Sequence, residues 1–269
     1  MELRTEALKV LRMAEPRRKA DETRQLHQRW HGPDSLLTLD LELALDTPAD
    51  LPGRPGLPVL VPADQVPRRS PFTAEGRAAL LHAICHIEFN AINLALDAIW
   101  RFPGLPAAYY SDWLKVADEE ALHFSLLQDH LASLGHHYGD FAAHDGLWSM
   151  TERTAGDPLA RMALVPRTLE ARGLDATPPI QAKLRQAGDL RAVEILAVIL
   201  RDEIGHVAIG NRWYRWLCEQ QGIDPVAHYP LLVERYKAPR MRQPFNLEAR
   251  RAAGFEDAEL QQLLHSPGA

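Results

Sequence analysis

The sequence predicts an all-α protein with four long helices at its centre. From Thr73 onward the chain runs in long segments whose apolar residues recur with helical period. Nowhere does it alternate apolar and polar residues for long enough to make a sheet. Its 269 residues, 46% hydrophobic and 25% charged, are also enough to bury a substantial core.

The elements follow in order. Residues 1–30 read as one or two short amphipathic helices, interrupted near Pro16. Seven of the 20 prolines lie between Pro48 and Pro71, so this stretch is neither a long helix nor a central strand. Residues 46–71 are expected to drape over the main domain as an extended segment. The first long helix covers residues 73–102 and stops at Pro103-Gly104. The second starts at Pro106, a favourable first-turn proline, and runs to Leu134 before Gly135. The loop HHYGDFAAHDG follows. A third helical region spans residues 145–173, interrupted at Gly156-Asp157-Pro158 and kinked near Pro166. Pro178 and Pro179 are expected to open a short helix, and Gly188 to precede the fourth long one, residues 189–221. Short helices are expected at 225–236, 247–253 and 257–264. The organisation is then 1–72, N-terminal helices and a Pro-rich segment packed on a bundle; 73–222, the bundle; and 223–269, C-terminal short helices.

Composition excludes several classes. A net charge of −6 and a pI near 6.1 argue against a general nucleic-acid binder. Residues 235–251 are a local exception, with six basic residues against Glu248 alone, a patch suited to a phosphate-bearing partner. No run of 18 apolar residues occurs, so no membrane span is expected. The opening MELRTEALKVLRMAEPRRK is charged throughout and has no secretory core. Cys85 and Cys218 sit in apolar surroundings and read as reduced core residues of a cytoplasmic protein.

The acids inside the helices carry the chemistry. On the first long helix His82, His86, Asn90, Asn93 and Asp97 form one polar stripe. Glu88 lies off it, among Leu81, Ile84, Cys85, Ala91, Ile92 and Ala95. A carboxylate there must be neutral, paired or metal-bound, because a bare buried charge costs several kcal/mol or more. The second helix holds Glu120-Ala-Leu-His123 and the fourth Glu203-Ile-Gly-His206, both on largely apolar faces. At i and i+3, Glu and His point the same way and reach one cation. With 18 Glu and 12 His, chance alone supplies about one such pair, so two mean little by themselves. Their arrangement means more. Glu120 follows Glu88 by 32 residues, and Glu203 follows Glu170, on the third helical region, by 33. One Glu from each of two helices plus Glu-x-x-His from each of two others is the ligand set of di-iron and di-manganese carboxylate bundles. Four carboxylates and two divalent cations cancel in charge. Imidazole and carboxylate suit iron, manganese or zinc, and the lack of thiolates argues against a structural Cys-zinc site.

Glu119 and Asp202 each precede a ligand Glu and are candidates to accept the free N–H of a ligating His. His130 reads as a core or supporting residue. His136, His137, His144, Asp140 and Asp145 lack helical spacing and read as loop and cap residues. Tyr109, Tyr110, Tyr138 and Tyr214 read as core tyrosines with bonded hydroxyls.

The runs HIEFNAINLALDAIWRFP, DEEALHFSLL, YGDFAAHDGLW, LVPRTLEARGLD and RDEIGHVAIGNRWYRWLC resemble the bacterial ferritin-like family filed as domain of unknown function 455, over nearly all of residues 73–222. The resemblance implies a ferritin-like four-helix bundle with an N-terminal extension and additional C-terminal helices. It also implies two divalent metal ions, iron first and manganese second, held by Glu88, Glu120, His123, Glu170, Glu203 and His206. Glu119 stands where an Asp usually precedes the ligand Glu. The expected activity is O₂-activating oxidation of a small molecule or modified nucleoside, with electrons from a donor protein. The nearest architectural analogy is a bacterial hydroxylase of a hypermodified tRNA adenosine. Ferroxidase or iron handling, a di-manganese catalase-like activity, and a non-enzymatic metal-stabilised interaction bundle are the alternatives. A cage subunit is disfavoured by the long extensions on both sides of the bundle.

Overall fold

Capping side chains, prolines and glycines set the helix ends in the computed structural model, which describes residues 1–265. Among them no β-strand forms; strand-type pairing is confined to isolated bridges, Glu2 with Thr38 and Leu60 with Ala143. The all-α expectation therefore holds. The chain divides into two compact units, residues 1–148 with 187–195, and residues 149–186 with 196–269.

In the first unit α1 (Leu3–Leu11) is capped by Glu2, whose carboxylate accepts from the Arg4 and Thr5 amides. Glu15 caps α2 (Pro16–His31) the same way, with Pro16 in its first turn. Thr73 caps α3 (Ala74–Arg101) by accepting from Gly76 N–H at 3.1 Å. Gly76 is required there, since a Cβ would fall 1.8 Å from the Ser70 carbonyl oxygen. α4 (Ala107–Ser133) follows Pro106. α1 packs on α3, α2 on α4, and α3 and α4 on each other. Residues 46–71 hold one short 3₁₀ turn, Ala63–Gln65, and otherwise run without helix, as expected.

α3 is long and apolar enough to cross a membrane by length and composition, a property that the search for unbroken apolar runs overlooks. Its most apolar 18-residue window is 72% buried within the protein. The polar stripe explains why α3 is covered on that side as well. Gly139 N–H donates to His82 Nε2 at 2.9 Å, and the Tyr138 hydroxyl lies 2.9 Å from His86 Nδ1. Burial lowers both imidazoles to a pKa of about 4, with the charge of His82 a lesser cause at His86. Arg101 and Trp100 donate to Asp97. Lys19 of α2 donates to Asn93 Oδ1 at 2.6 Å and to the Gly53 carbonyl at 2.7 Å. The stripe thus fastens the Tyr138-Gly139 loop through His82 and His86, and the N-terminal and Pro-rich segments through Asn93 and Lys19.

The second unit contains α6 (Pro158–Leu164), a π-helical turn (Val165–Glu170) and α7 (Ala171–Gln186), together with most of α5 (Gly146–Arg153) and of α8 (Leu190–Gln220). It ends with α9 (Pro225–Arg235), α10 (Leu247–Ala252) and α11 (Asp257–His265). Its core gathers Ala171, Leu174, Val207, Ala249, Ala253, Phe255 and Leu260. One expectation is corrected. Pro178 and Pro179 do not open a new helix but lie inside α7, which runs on through Gly173. Pro178 has no N–H for the Leu174 carbonyl, and Asn246 Nδ2 donates to that carbonyl instead, at 3.2 Å. A partner 72 residues downstream of Leu174 satisfies what the helix lacks. Beside it, buried Arg250 donates to Asp175 through Nε at 3.0 Å and Nη2 at 2.6 Å.

Two outcomes are expected. Asp175→Ala strands the Arg250 guanidinium in the core and should cost about 3–5 kcal/mol, read as a lower urea midpoint. Burial, aided by the charge of Arg54, lowers Lys19 from 10.5 to about 7. Between those values the unfolded chain holds a proton that the folded chain lacks, so stability rises with pH across the window. Below it both states are protonated and the contribution is constant. Urea titrations near pH 7 and pH 9 should show that rise in the wild type and a smaller one in Lys19→Met; equal rises would contradict the assignment.

Candidate metal centre

The site in the first unit is set by the link between α3 and α4. The five residues 102–106 are too few for anything but an antiparallel return. Gly104 adopts φ 74° and donates to the Leu41 carbonyl at 2.9 Å. The Tyr110 hydroxyl donates to the Phe102 carbonyl at 2.7 Å and accepts from Leu105 N–H at 3.3 Å. With the link pinned from α4 itself, the register of the two helices is fixed.

That register brings Glu88 of α3 against Glu120 and His123 of α4. His123 Nδ1 lies 3.2 Å from Glu88 Oε2 and 3.3 Å from Glu120 Oε2. His123 and Glu120 are fully buried, and Glu88 is 3% exposed. Burial first, and the charge of Glu120 second, push the Glu88 carboxyl up to about 8, with His123 pulling the other way. The three ligand atoms lie within 4.8 Å of one another. Donors held about 2.1 Å from one cation stand roughly 3.0–3.4 Å apart in octahedral or tetrahedral geometry, which the two short separations match. Cys85, on the same face, is buried with its thiol pushed well above its ordinary range by burial, and donates weakly to the Phe124 carbonyl at 3.8 Å. It remains a core thiol.

In the second unit Glu203 and His206 lie one helical turn apart on α8, with His206 Nδ1 3.9 Å from Glu203 Oε2. Both are buried, as is Glu170. Glu170 closes the π-helical turn, whose start carries Pro166. Pro166 offers no N–H to the helix, and, two residues on, the Thr168 hydroxyl donates to the Ala163 carbonyl at 2.7 Å. The turn packs against α8 at Gly210, where a Cβ would stand 2.6 Å from Pro166 Cβ. Gly210 follows Glu203 by seven residues and so shares its face. The sequence shows a kink at Pro166; it does not show that Gly210 admits it. A glycine two turns beyond a buried Glu, on the same face, is the signal that marks such a close approach.

His130 and the residues of the His-rich loop find ordinary roles. His130 Nε2 lies 2.9 Å from Asp189 Oδ1, and Asp189 in turn accepts from Ala192 N–H at the start of α8. Asp140 accepts from His137 N–H, Gly146 donates to His144 Nδ1, and Asp145 pairs with Arg54, so the His-rich loop is held by turn and ion-pair contacts. Glu119 lies 3.7 Å from Lys115, and Asp202 takes bonds from Arg201 at 2.8 and 3.0 Å.

Gly210→Ala should push the π-helical turn off α8. About 1–3 kcal/mol of lost stability is expected by calorimetry or urea titration, as for other overpacked positions. A variant as stable as the wild type would show the turn to be free to move.

Comparison with known proteins gives a family and no substrate. A protein of Haemophilus influenzae described as "Uncharacterized protein" is 54% identical over 213 residues, covering 77% of this chain and 74% of its own. No solved structure matches. The family described as "Protein of unknown function (DUF455)" matches residues 12–261, and the chain belongs to that family.

Proposed function

We propose that this protein is a ferritin-like di-metal carboxylate oxidoreductase, with Glu88, Glu120, His123, Glu170, Glu203 and His206 as ligands to two divalent cations. The observation that carries the reading is the buried trio of Glu88, Glu120 and His123, two acids and an imidazole at ligand spacing with no water-exposed face. Burying such a group without a cation leaves at least one acid protonated, which is why Glu88 is raised so far. The second Glu-x-x-His pair and Glu170 repeat the pattern with the same donor types and nearly the same sequence interval.

When bound as iron, the pair supplies redox chemistry with O₂ that no side chain here can perform. The chain's residues hold and orient it. The carboxylates balance four positive charges, and the imidazoles add neutral donors that leave the sum near zero. The same-face neighbours of Glu88 on α3, Leu81, Cys85, Ala91, Ile92 and Ala95, are all buried and keep that side dry. Electrons for oxidation of a small-molecule or modified-nucleoside substrate come from a separate donor.

Elemental analysis of protein purified from iron- and manganese-supplemented cultures tests the site. About two metal ions per chain are expected, with iron favoured, and Glu120→Ala and His206→Ala should each lose most of that content. Unchanged metal and unchanged melting temperature in both variants would remove the assignment. Mixing anaerobic Fe(II)-loaded protein with O₂ in a stopped-flow spectrometer should then give an absorbance transient absent from the Glu120→Ala variant. Metal without any such transient would leave a metal protein but not an O₂-activating one.

A further inference from the structure

The second unit contains a cavity of about 750 Å³, a volume typical of small-molecule sites, formed by α9, the residues after it, and α10 and α11. None of the six proposed metal ligands lines it. Tyr229, Val233, Phe255 and Leu263 give it apolar walls. Buried Arg167 forms part of the floor, its guanidinium 4.9 Å from the Tyr229 ring centre and 4.8 Å from that of Phe255. Its Nη atoms donate to Asn211 and Glu259, yet its Nε–H is buried with no acceptor.

The charges around the cavity do not cancel. Arg167 is matched by Glu259 at 2.7 Å, and Arg250 by Asp175 at 2.6 Å. Lys237 and Arg240 remain, against Glu234. Neither cation makes a side-chain hydrogen bond or ion pair among the described residues. The backbone at Lys237 is also unusual. α9 ends with Ala238 N–H donating to the Val233 carbonyl at 2.9 Å and Lys237 N–H to that of Glu234 at 3.1 Å. That closure places Lys237 at φ 48°, in the left-handed position that glycine ordinarily fills.

We infer that this cavity binds a small amphipathic anion: a carboxylate, sulfonate or phosphate head held by Lys237 and Arg240, with a flat apolar or aromatic body between Tyr229 and Phe255. The inference stands apart from the metal centre and survives its failure. It also narrows the basic stretch 235–251. Arg250 is spent on Asp175, Arg251 lies 3.3 Å from Asp257, and Arg235 stacks on Tyr236.

The test uses the full-length protein and two fluorescent probes of similar shape, anionic 1-anilinonaphthalene-8-sulfonate and neutral N-phenyl-1-naphthylamine. The anion should bind one site per chain. Lys237→Gln combined with Arg240→Gln should weaken it roughly tenfold while leaving the neutral probe unchanged. Both positions are exposed, so the melting temperature should not move. Val233→Trp, which fills the cavity, should remove both probes. Competition with 1-naphthoate and 1-naphthyl phosphate identifies the preferred head, and displacement by either supports the site. The inference is overturned if the double variant binds the anion as the wild type does, if Val233→Trp leaves binding intact, if neither competitor displaces the probe, or if no saturable binding occurs.

Discussion

Charge placed inside an apolar helix pair is the constraint from which the first unit follows. α3 is buried almost all round, and it carries Glu88 on one face and five polar residues on another. Every one of those groups needs a partner, since each unsatisfied buried polar atom costs a sizeable part of a domain's net stability. Glu88 finds His123 across the α3–α4 seam. The stripe finds Lys19, Tyr138, Gly139 and the side chains at the end of α3. The N-terminal helices and the Pro-rich segment are therefore part of what makes α3 tolerable, and not appendages to it.

The second unit solves a related problem in backbone rather than side chains. Pro166 and Pro178 each remove a helical hydrogen bond; the chain widens into a π-helical turn at the first, and Asn246 Nδ2 supplies the missing donor at the second. Gly210 then lets the π-helical turn lie close against α8. Glu170 sits at the end of that turn, and Glu203 and His206 on the helix it touches. Strained backbone next to candidate ligands is where a fold gives up local stability to aim side chains.

Much of this was legible in the sequence, for identifiable reasons. Helical periodicity and proline placement located α3, α4, α8 and the three C-terminal helices to within a few residues. Glu88 stood out because its neighbours at helical spacing were all apolar. What escaped were long-range effects. The prolines of α7 look like a helix start until Asn246, far along the chain, supplies the missing donor. The stripe on α3 gives no hint of which segment will cover it. Arg167 reads as one more arginine until three aromatic rings and Glu259 are folded around it. In each case the deciding partner is separated by dozens of residues, and single-helix patterns carry no information about it.

If buried carboxylates are held together by cations, the metal-free protein is under electrostatic and desolvation strain that loading relieves. The most direct measurement is the melting temperature of chelator-stripped protein titrated with Mn(II), or anaerobically with Fe(II). Ligands that bind only the folded state raise its stability in proportion to the logarithm of their free concentration. The account predicts a melting temperature that climbs in this way and a binding stoichiometry of two ions per chain. A melting temperature indifferent to either ion up to millimolar concentration would mean that these acids are satisfied without metal, and the central claim would fall.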